Sequence, residues 1–187
     1  MADAERYDAI VVGSGQAGGP LAIALATAGK TTVLIEREHV GGTCVNEGCT
    51  PTKTMVAGAR VAELARRSEE YGVRTGDVSV DLAAVRERKR EIVETFRSGS
   101  ERSLAETAGL EFLRGEARFV GPKDLLVRLK DGGQRRLVGD LVFLNVGARP
   151  AALDLPGIDG VGARNSTSIM ELAELPEHLL VLGGGYI

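Results

Sequence analysis

Two apolar strands, separated by a glycine-rich turn and a helical run, open the chain and restrict its fold more than any other feature. Residues 7–12 read YDAIVV, residues 13–19 read GSGQAGG, and residues 31–36 read TTVLIE. The intervening run PLAIALATAG is helical in composition and is closed by Gly29. A strand, a helix and a second strand in this order form a βαβ unit, whose strands are parallel. The chain is therefore predicted to be an α/β protein with a parallel sheet.

The turn after the first strand follows the pattern GxGxxG, with Gly13, Gly15 and Gly18 at its fixed positions. In this pattern the first glycine permits a tight turn, the second allows a pyrophosphate to approach, and the third lets the helix pack closely. Glu36 lies 18 residues after Gly18, where a carboxylate can accept hydrogen bonds from ribose hydroxyls and would repel a 2′-phosphate. The pattern indicates a dinucleotide site. The alternative is a glycine turn without a ligand, and the pattern alone does not separate FAD from NAD.

The middle of the chain is predicted to be helical. Residues 51–68 carry small and apolar side chains near helical spacing, which predicts one helix. Asp81 is a suitable N-cap for a second, long helix with one apolar stripe, which Gly109 can end. The charged run RERKRE at residues 86–91 is predicted to be the solvated face of this helix rather than a binding patch.

Short strands are predicted after residue 109. Residues 110–115, 116–121, 125–129 and 134–138 form an antiparallel meander in this prediction, with KDGG at 130–133 as a hairpin turn. Residues 141–145 are continuously apolar, as in a central parallel strand. The final run, LLVLGGGYI at 179–187, is predicted to begin another strand and glycine turn.

Composition narrows the possible partners and compartments. The chain has 187 residues and a formal net charge of −3, and no basic face stands out, so no nucleic-acid partner is expected. No segment resembles a signal peptide, and the apolar runs are shorter than the roughly 18–20 residues that a membrane span needs. The expected compartment is the cytoplasm, where a permanent structural disulfide is uncommon.

The chain has two cysteines, Cys44 and Cys49, within the stretch GGTCVNEGCTPTK. A structural disulfide would close a short loop and gain little, and His39 and His178 lack ligand spacing with the pair, so no metal site is predicted. Inert core cysteines are a further alternative. A redox pair is favoured because thiols near a helix N-terminus have lowered pKa values, and Lys53 adds positive charge nearby.

The stretch GGTCVNEGCTPTK closely resembles the active-site segment of the class I pyridine nucleotide-disulfide oxidoreductases. GEARF at 115–119 resembles that family's adenine-contacting strand, LNVGARP at 144–150 its second flavin motif, and ELPEHLLVLGGGYI at 174–187 the entry to its nicotinamide domain. The PTK ending and the NVGARP run are most similar to the mercuric reductase-like branch. The resemblance implies a Rossmann-like FAD-binding domain with a parallel sheet, a long helical segment and an inserted antiparallel β-meander.

The resemblance also implies roles for individual residues. Cys49 would be the thiol against the flavin, Cys44 the interchange thiol that meets substrate, and Lys53 would lie near the reactive flavin nitrogen. The residues implied to contact FAD are Gly13, Ser14, Gly15, Gln16, Ala17, Gly18, Glu36, Arg37, Gly42, Thr43, Cys44, Gly48, Cys49, Lys53, Ala117, Val146, Gly147 and Ser166. The chain departs from the family pattern at Thr52, which replaces the commoner Ser, and at Asn145–Val146, which replace Ala-Thr.

The implied domains are an FAD-binding domain at 1–150, with the redox-disulfide helix at 41–68 and the meander at 110–138, and at 151–187 a linker with the start of a truncated NAD(P)-binding domain. The implied activity passes hydride from NAD(P)H through FAD to the Cys44–Cys49 pair. The substrate would be a small-molecule disulfide, a quinone or a metal ion, and the full-length enzyme a homodimer whose partner subunit supplies an acid–base histidine. No such histidine follows in this sequence, which is therefore expected to be a fragment; the alternative is a truncated flavin-binding module without turnover.

Overall fold

The computed structural model describes residues 4–151 and 153–185. The chain divides into two compact units. Unit 1 comprises Met1–Asn46 and Glu94–Ala148, and unit 2 comprises Glu47–Val93 and Arg149–Ile187. Among the described residues, no helix is both long and apolar enough to cross a bilayer. The prediction of domains at 1–150 and 151–187 stays a prediction.

Unit 1 contains a five-stranded sheet, and its strands are β1 (Glu5–Val12), β2 (Thr32–Glu36), β3 (Leu110–Gly121), β4 (Asp124–Leu129) and β5 (Gln134–Leu144). The helix α1 (Gly18–Thr27) connects β1 to β2, which confirms the βαβ opening. β1 is parallel to both β2 and β5, and β2 is parallel to the first half of β3. The spatial order of the parallel part is therefore β3–β2–β1–β5.

The long strands β3 and β5 each change partners midway. The second half of β3 and the first half of β5 both pair with β4 in antiparallel fashion, and the sheet closes into a five-stranded barrel. The prediction of an α/β fold with a parallel sheet and an antiparallel meander is confirmed. The Rossmann-like description is not, because the sheet is closed.

The strand boundaries predicted within β3 and β5 were wrong for a physical reason. Gly115 and Gly139 are typical of strand ends, yet both lie inside continuous strands. A Cβ on Gly115 would lie 2.6 Å from the backbone oxygen of Arg128, and one on Gly139 would lie 2.8 Å from Cγ1 of Ile10. Glycine at these positions permits close approach between neighbouring strands, at the points where β3 and β5 change partner.

Alternating side chains of the strands fill two apolar layers. One cluster draws on all five strands and comprises Ile10, Val33, Ile35, Leu113, Leu125, Val127 and Leu137. The other packs the sheet against α1 and α4 (Leu82–Glu106) and comprises Val11, Ala22, Leu34, Val40 and Leu104. Because successive residues of a strand point to opposite faces and both faces are covered here, the second half of β1 (residues 9–12) and the middle of β2 (residues 33–35) are continuously apolar.

A short helix and a long helix follow β2 in the chain. α2 (Gly42–Asn46) belongs to unit 1, and α3 (Cys49–Arg66) belongs to unit 2, close to the helix predicted at 51–68. The predicted N-cap of the long helix is confirmed, since Oδ1 of Asp81 accepts a hydrogen bond from the backbone N–H of Ala84 at 3.0 Å.

The prediction that residues 86–91 form a solvated face was wrong in part. The side chain of Lys89 is buried; it donates hydrogen bonds to the carbonyl oxygen of Met170 at 3.3 Å and to the carboxylate of Glu171. Arg90 also donates to Glu171, at 2.6 Å, and Arg86 donates to the carbonyl oxygen of Leu172 at 2.9 Å. Positions i, i+3 and i+4 share one helix face, so these three basic side chains together hold the short 3₁₀ helix Ser168–Glu171.

The strand predicted to begin at residue 179 is absent from the part of it that the structure describes, residues 179–185, and residues 186–187 lie outside the described residues. A strand requires a hydrogen-bonded neighbour, and the strands of the described chain all belong to unit 1. The apolar run LLVL alone therefore does not form a strand.

We expect Glu171→Gln to make the stability of the chain less dependent on pH. Burial raises the pKa of Glu171, but hydrogen bonds from Lys89 and Arg90 outweigh burial and lower it overall from 4.5. A carboxyl group with a lowered folded-state pKa adds stability above its ordinary pKa, and that stability is lost as the pH falls through the lowered value. The wild type should therefore lose stability as the pH falls below 4.5.

Urea unfolding at pH 7 and at low pH measures this effect. At pH 7 the Glu171→Gln chain should be less stable by about 1–2 kcal/mol, since the buried Lys89 loses its charged partner while Glu171 is half-exposed. The difference should shrink at low pH. Glu174→Gln, which removes an exposed carboxylate nearby, is the control. If the Glu171→Gln chain were less stable than the wild type by the same amount at both pH values, the role of the Glu171 carboxylate would be contradicted.

Candidate functional site

The turn between β1 and α1 is shaped by backbone packing. Gly13 has a φ of 99°, in the left-handed region, and its N–H donates to the carbonyl oxygen of Ile35 at 2.8 Å. A Cβ at Gly13 would lie 2.2 Å from the backbone oxygen of Asn145. At Gly18 a Cβ would lie 1.9 Å from the backbone oxygen of Gly13. These two glycines are therefore required by the packing of the chain itself.

Gly15 differs from the other two glycines. A Cβ there would lie 3.2 Å from the side-chain Nδ2 of Asn145 and 3.9 Å from Cα of Gly42, with no closer neighbour. A flexible side chain can move by the few tenths of an ångström that this requires. Internal packing therefore demands glycine least at Gly15, which is the position where the GxGxxG pattern leaves room for a pyrophosphate.

Glu36 lies at the end of β2, beside the glycine turn. Its Oε2 accepts hydrogen bonds from the backbone N–H of Ser14 at 2.9 Å and from the Ser14 hydroxyl at 2.7 Å. Its Oε1 accepts from the backbone N–H of Glu38 at 2.8 Å. The structure thus brings the predicted carboxylate to the predicted turn, where it is half-buried. A carboxylate here can accept hydrogen bonds from sugar hydroxyls.

The segment that leads into α2 packs on the same turn. Gly41 and Gly42 have φ values of 94° and 60°, and a Cβ on Gly42 would lie 2.8 Å from Cα of Gly15. The N–H of Gly41 donates to the carbonyl oxygen of Ser14 at 3.2 Å, and Nε2 of Gln16 donates to that of Gly41 at 3.4 Å. The turn with Gly42, which leads into Thr43 and Cys44, therefore lies against the GxGxxG loop.

An asparagine between the two cysteines fixes α2. Nδ2 of Asn46 donates to the carbonyl oxygens of Val40 at 2.9 Å and Gly42 at 2.8 Å. Its Oδ1 accepts a hydrogen bond from Nε of Arg97, in α4, at 2.8 Å. Neither Asn46 nor Arg97 was predicted as a site residue from the sequence. The only available signal was an asparagine inside the cysteine motif, and no sequence pattern paired it with Arg97.

Four further predicted site residues lie just after β2, within β3 and just after β5: Arg37, Ala117, Val146 and Gly147. Arg37 forms an ion pair with Glu116 at 3.5 Å, immediately before Ala117, and Arg128 also binds Glu116 at 2.6 Å. The hydrogen bonds from Arg128 and then Arg37 lower the pKa of Glu116. Val146 is exposed and follows Asn145, and Gly147 is exposed with a φ of 71°.

Four other predicted site residues belong to unit 2. Gly48 precedes α3, and its carbonyl oxygen accepts a hydrogen bond from the N–H of Thr52 at 3.0 Å. Cys49 is the first residue of α3, and Cys49, Lys53 and Ser166 are exposed. No disulfide bond is present among the described residues, and Cys44, in unit 1, is half-buried.

In unit 1 the structure brings together the glycine turn, Glu36 and the Gly42 segment, and it places Asn145 against the turn. Nδ2 of Asn145 donates to the carbonyl oxygen of Gly13 at 3.4 Å. The roles in FAD binding that the sequence analysis gave to all of the predicted site residues, and the redox roles of Cys44, Cys49 and Lys53, stay predictions. The site that the described residues do define is a glycine turn at a helix N-terminus with an adjacent carboxylate, which suits a nucleotide with a pyrophosphate.

The chain belongs to the pyridine nucleotide-disulphide oxidoreductase family, whose family model matches residues 7–187. It is 36% identical over 182 residues to a mercuric reductase from Streptomyces lividans, covering 97% of this chain and 38% of that relative. It is 36% identical to a dihydrolipoyl dehydrogenase from Chlorobaculum parvum, covering 97% of this chain and 39% of the relative. The family predicted from the sequence is confirmed.

A solved structure gives the same result. The Cu(II) complex of the HOCl-induced flavoprotein disulfide reductase RclA from Escherichia coli matches with a TM-score of 0.83 at 34% identity, over 97% of this chain and 38% of RclA. The chain therefore spans well under half the length of the relatives that it matches.

We expect two glycines of the GxGxxG turn, Gly15 and Gly18, to differ in their tolerance of a methyl group. Gly18→Ala should lower the free energy of unfolding by about 1–3 kcal/mol, since its Cβ would overlap a backbone oxygen. Gly15→Ala should change it by less than about 1 kcal/mol, because only a side-chain amide must move. Chemical denaturation without ligand measures both values. Equal losses at the two positions would contradict the packing described.

Proposed function

We propose that this chain supplies the FAD-binding and redox-disulfide part of an NAD(P)H-dependent oxidoreductase. The observation that carries this proposal is Gly15, the residue of the turn that lies against Gly42 and the one at which internal packing requires glycine least. Family membership supports the assignment to FAD.

The residues of unit 1 fit the nucleotide portion of FAD. Backbone N–H groups at the start of α1 would hold the pyrophosphate, because the first turn of a helix has N–H groups without intrahelical partners. Glu36 would hold the adenosine ribose, with Arg37 and Ala117 at the adenine side. Gly42, Thr43, Val146 and Gly147 would extend the contacts toward the flavin. When bound, FAD supplies the transfer of electrons between NAD(P)H and a disulfide.

The proposed chemistry of the protein lies in its two cysteines. In the reduced state Cys44 acts as a thiolate, attacks one sulfur of a substrate disulfide and expels the other as a thiol after protonation. Cys49 then attacks Cys44 in the mixed disulfide, releases the second thiol and leaves a Cys44–Cys49 disulfide. The net reaction reduces one disulfide to two thiols and oxidises one NAD(P)H, with one proton consumed. Lys53 contributes positive charge close in sequence to Cys49.

The proposed substrate is a small molecule: a disulfide, a quinone or a thiol-binding metal ion. The names of the relatives cover mercuric reductases and dihydrolipoyl dehydrogenases, and the RclA structure is a Cu(II) complex. We further propose a cytoplasmic homodimer, with Ser166 near the flavin and the acid–base histidine in a part of the relatives that this chain does not span. The alternative function is a flavin-binding module without turnover.

We expect the purified chain to bind FAD and Gly15→Ala to weaken that binding at least tenfold, because a methyl group would obstruct the pyrophosphate. A flavin absorbance band and a fluorescence titration with FAD measure the affinity. Gly99→Ala is the matched control, since Gly99 is exposed in α4 with no neighbour within 4 Å of its added Cβ.

Two outcomes would oppose the proposal. Failure of the wild type to bind FAD would refute the cofactor assignment, and equal binding by the Gly15→Ala chain would refute the role of Gly15. We expect no NAD(P)H oxidation by the purified chain under either function, since it spans only 38% of the length of the mercuric reductase relative. A reversible Cys44–Cys49 disulfide separates the two functions, because only the first requires it.

We expect Cys44 and Cys49 to form a reversible intramolecular disulfide. Mild oxidation should remove both titratable thiols without forming covalent dimers, and dithiothreitol should restore them. Thiol titration and intact mass spectrometry measure the change. The matched variants Cys44→Ser and Cys49→Ser should each keep one thiol and form only intermolecular disulfides. Two thiols that persist after oxidation of the wild type would contradict a redox pair.

A further inference from the structure

The peptide bond between Gly13 and Ser14 is held by side chains at both of its polar atoms. Its carbonyl oxygen, on Gly13, accepts a hydrogen bond from Nδ2 of Asn145 at 3.4 Å. Its N–H, on Ser14, donates to Oε2 of Glu36 at 2.9 Å. The plane of this peptide is therefore set from two sides, by residues that follow β5 and end β2.

Asn145 is itself firmly placed. Its backbone N–H donates to the carbonyl oxygen of Val12 at 2.8 Å, and its own carbonyl oxygen lies against Gly13. Its Nδ2 would lie 3.2 Å from a Cβ on Gly15 and 2.7 Å from a Cβ on Gly18. The side-chain amide of Asn145 thus lies beside all three glycines of the GxGxxG turn.

We infer that Asn145 is a positioning residue for the pyrophosphate-binding turn. By holding the Gly13 carbonyl oxygen, it fixes the plane of the first peptide of the turn, and so the direction of the backbone N–H groups that follow it. Asn145 acts on the loop that meets the two phosphates, and through that loop on ligands that carry a pyrophosphate. This inference rests on the proposed function of the turn.

The side-chain amide of Asn145 supplies the donor that the carbonyl oxygen of Gly13 requires. This oxygen is directed into the turn, within 1.9 Å of the position that a Gly18 side chain would occupy. Gly13 is half-buried, so its carbonyl oxygen has limited access to water, and loss of its donor would be costly. Rotation of the peptide toward another donor would redirect the Ser14 N–H away from Glu36. An apolar residue at 145 supplies no such donor.

The test compares ligands that do and do not carry a pyrophosphate. FAD affinity is measured by fluorescence titration, and ADP and adenosine are measured as competitors of FAD. Asn145→Ala should weaken FAD and ADP by the same factor, about fivefold for one lost hydrogen bond, and leave adenosine unchanged. Asn145→Asp keeps the shape but loses the donor and adds a negative charge, so the loss should exceed tenfold.

Gln134→Ala is the matched control, because Gln134 is an exposed amide at the opposite end of β5. It should leave all three affinities unchanged. The isosteric aspartate variant keeps the test decisive if the alanine variant folds poorly, and thermal unfolding without ligand reports on folding for both.

Each other outcome overturns the inference. If the wild type binds neither FAD nor ADP, the proposed function fails and this inference with it. If the wild type binds and both Asn145 variants bind equally well, the inference alone fails. A loss for FAD without a loss for ADP would place the effect of Asn145 at the flavin end. An equal loss for adenosine, or lower stability with unchanged affinity, would make its role merely structural.

Discussion

Unit 1 depends on one constraint, which is direct contact between backbone atoms. This contact occurs where the end of β1 meets the end of β5 and the start of α1. The carbonyl oxygen of Gly13 lies against Gly18, and that of Asn145 lies against Gly13. No side chain fits between these elements. This contact fixes the strand, the helix and the neighbouring strand at one point, and the same point presents the helix N-terminus and Glu36 to a ligand. Folding and binding thus use the same glycines for different reasons.

The parts of the fold that the sequence predicted are those whose pattern is local. The βαβ opening, the Asp81 cap and the KDGG turn each depend on a few consecutive residues, and the structure contains all three. The closure of the sheet is not local, because β3 pairs first with β2 and then with β4, whereas β5 pairs first with β4 and then with β1. Gly115 and Gly139 are ambiguous signals, since glycine marks both strand ends and close approach between strands.

The candidate site divides in the same way. The glycine turn and Glu36 follow a spacing rule, so their proximity could be predicted. The hydrogen bonds of Asn145 to Gly13 and of Arg97 to Asn46 join residues far apart in sequence, and no periodic pattern indicates them. Asn145 was noted only as a departure from a familiar motif. The structure shows what the asparagine does, because its side-chain amide donates a hydrogen bond to the carbonyl oxygen of Gly13 in the turn.

Charged residues on α4 show a limit of hydrophobic patterning. A helical pattern assigns every charged side chain to solvent, yet Lys89 is buried and Arg97 is only partly exposed. Each is retained by acceptors on another segment of its own unit: Lys89 by Met170 and Glu171, and Arg97 by Asn46. A long side chain with several donors can fix a short segment through hydrogen bonds that add to its apolar packing. The 3₁₀ helix Ser168–Glu171 and α2, which carries Cys44, are such segments, and each also buries one apolar residue, Met170 or Val45. Lys89 and Arg97 thus let α4 order one segment in each unit through its charged side chains.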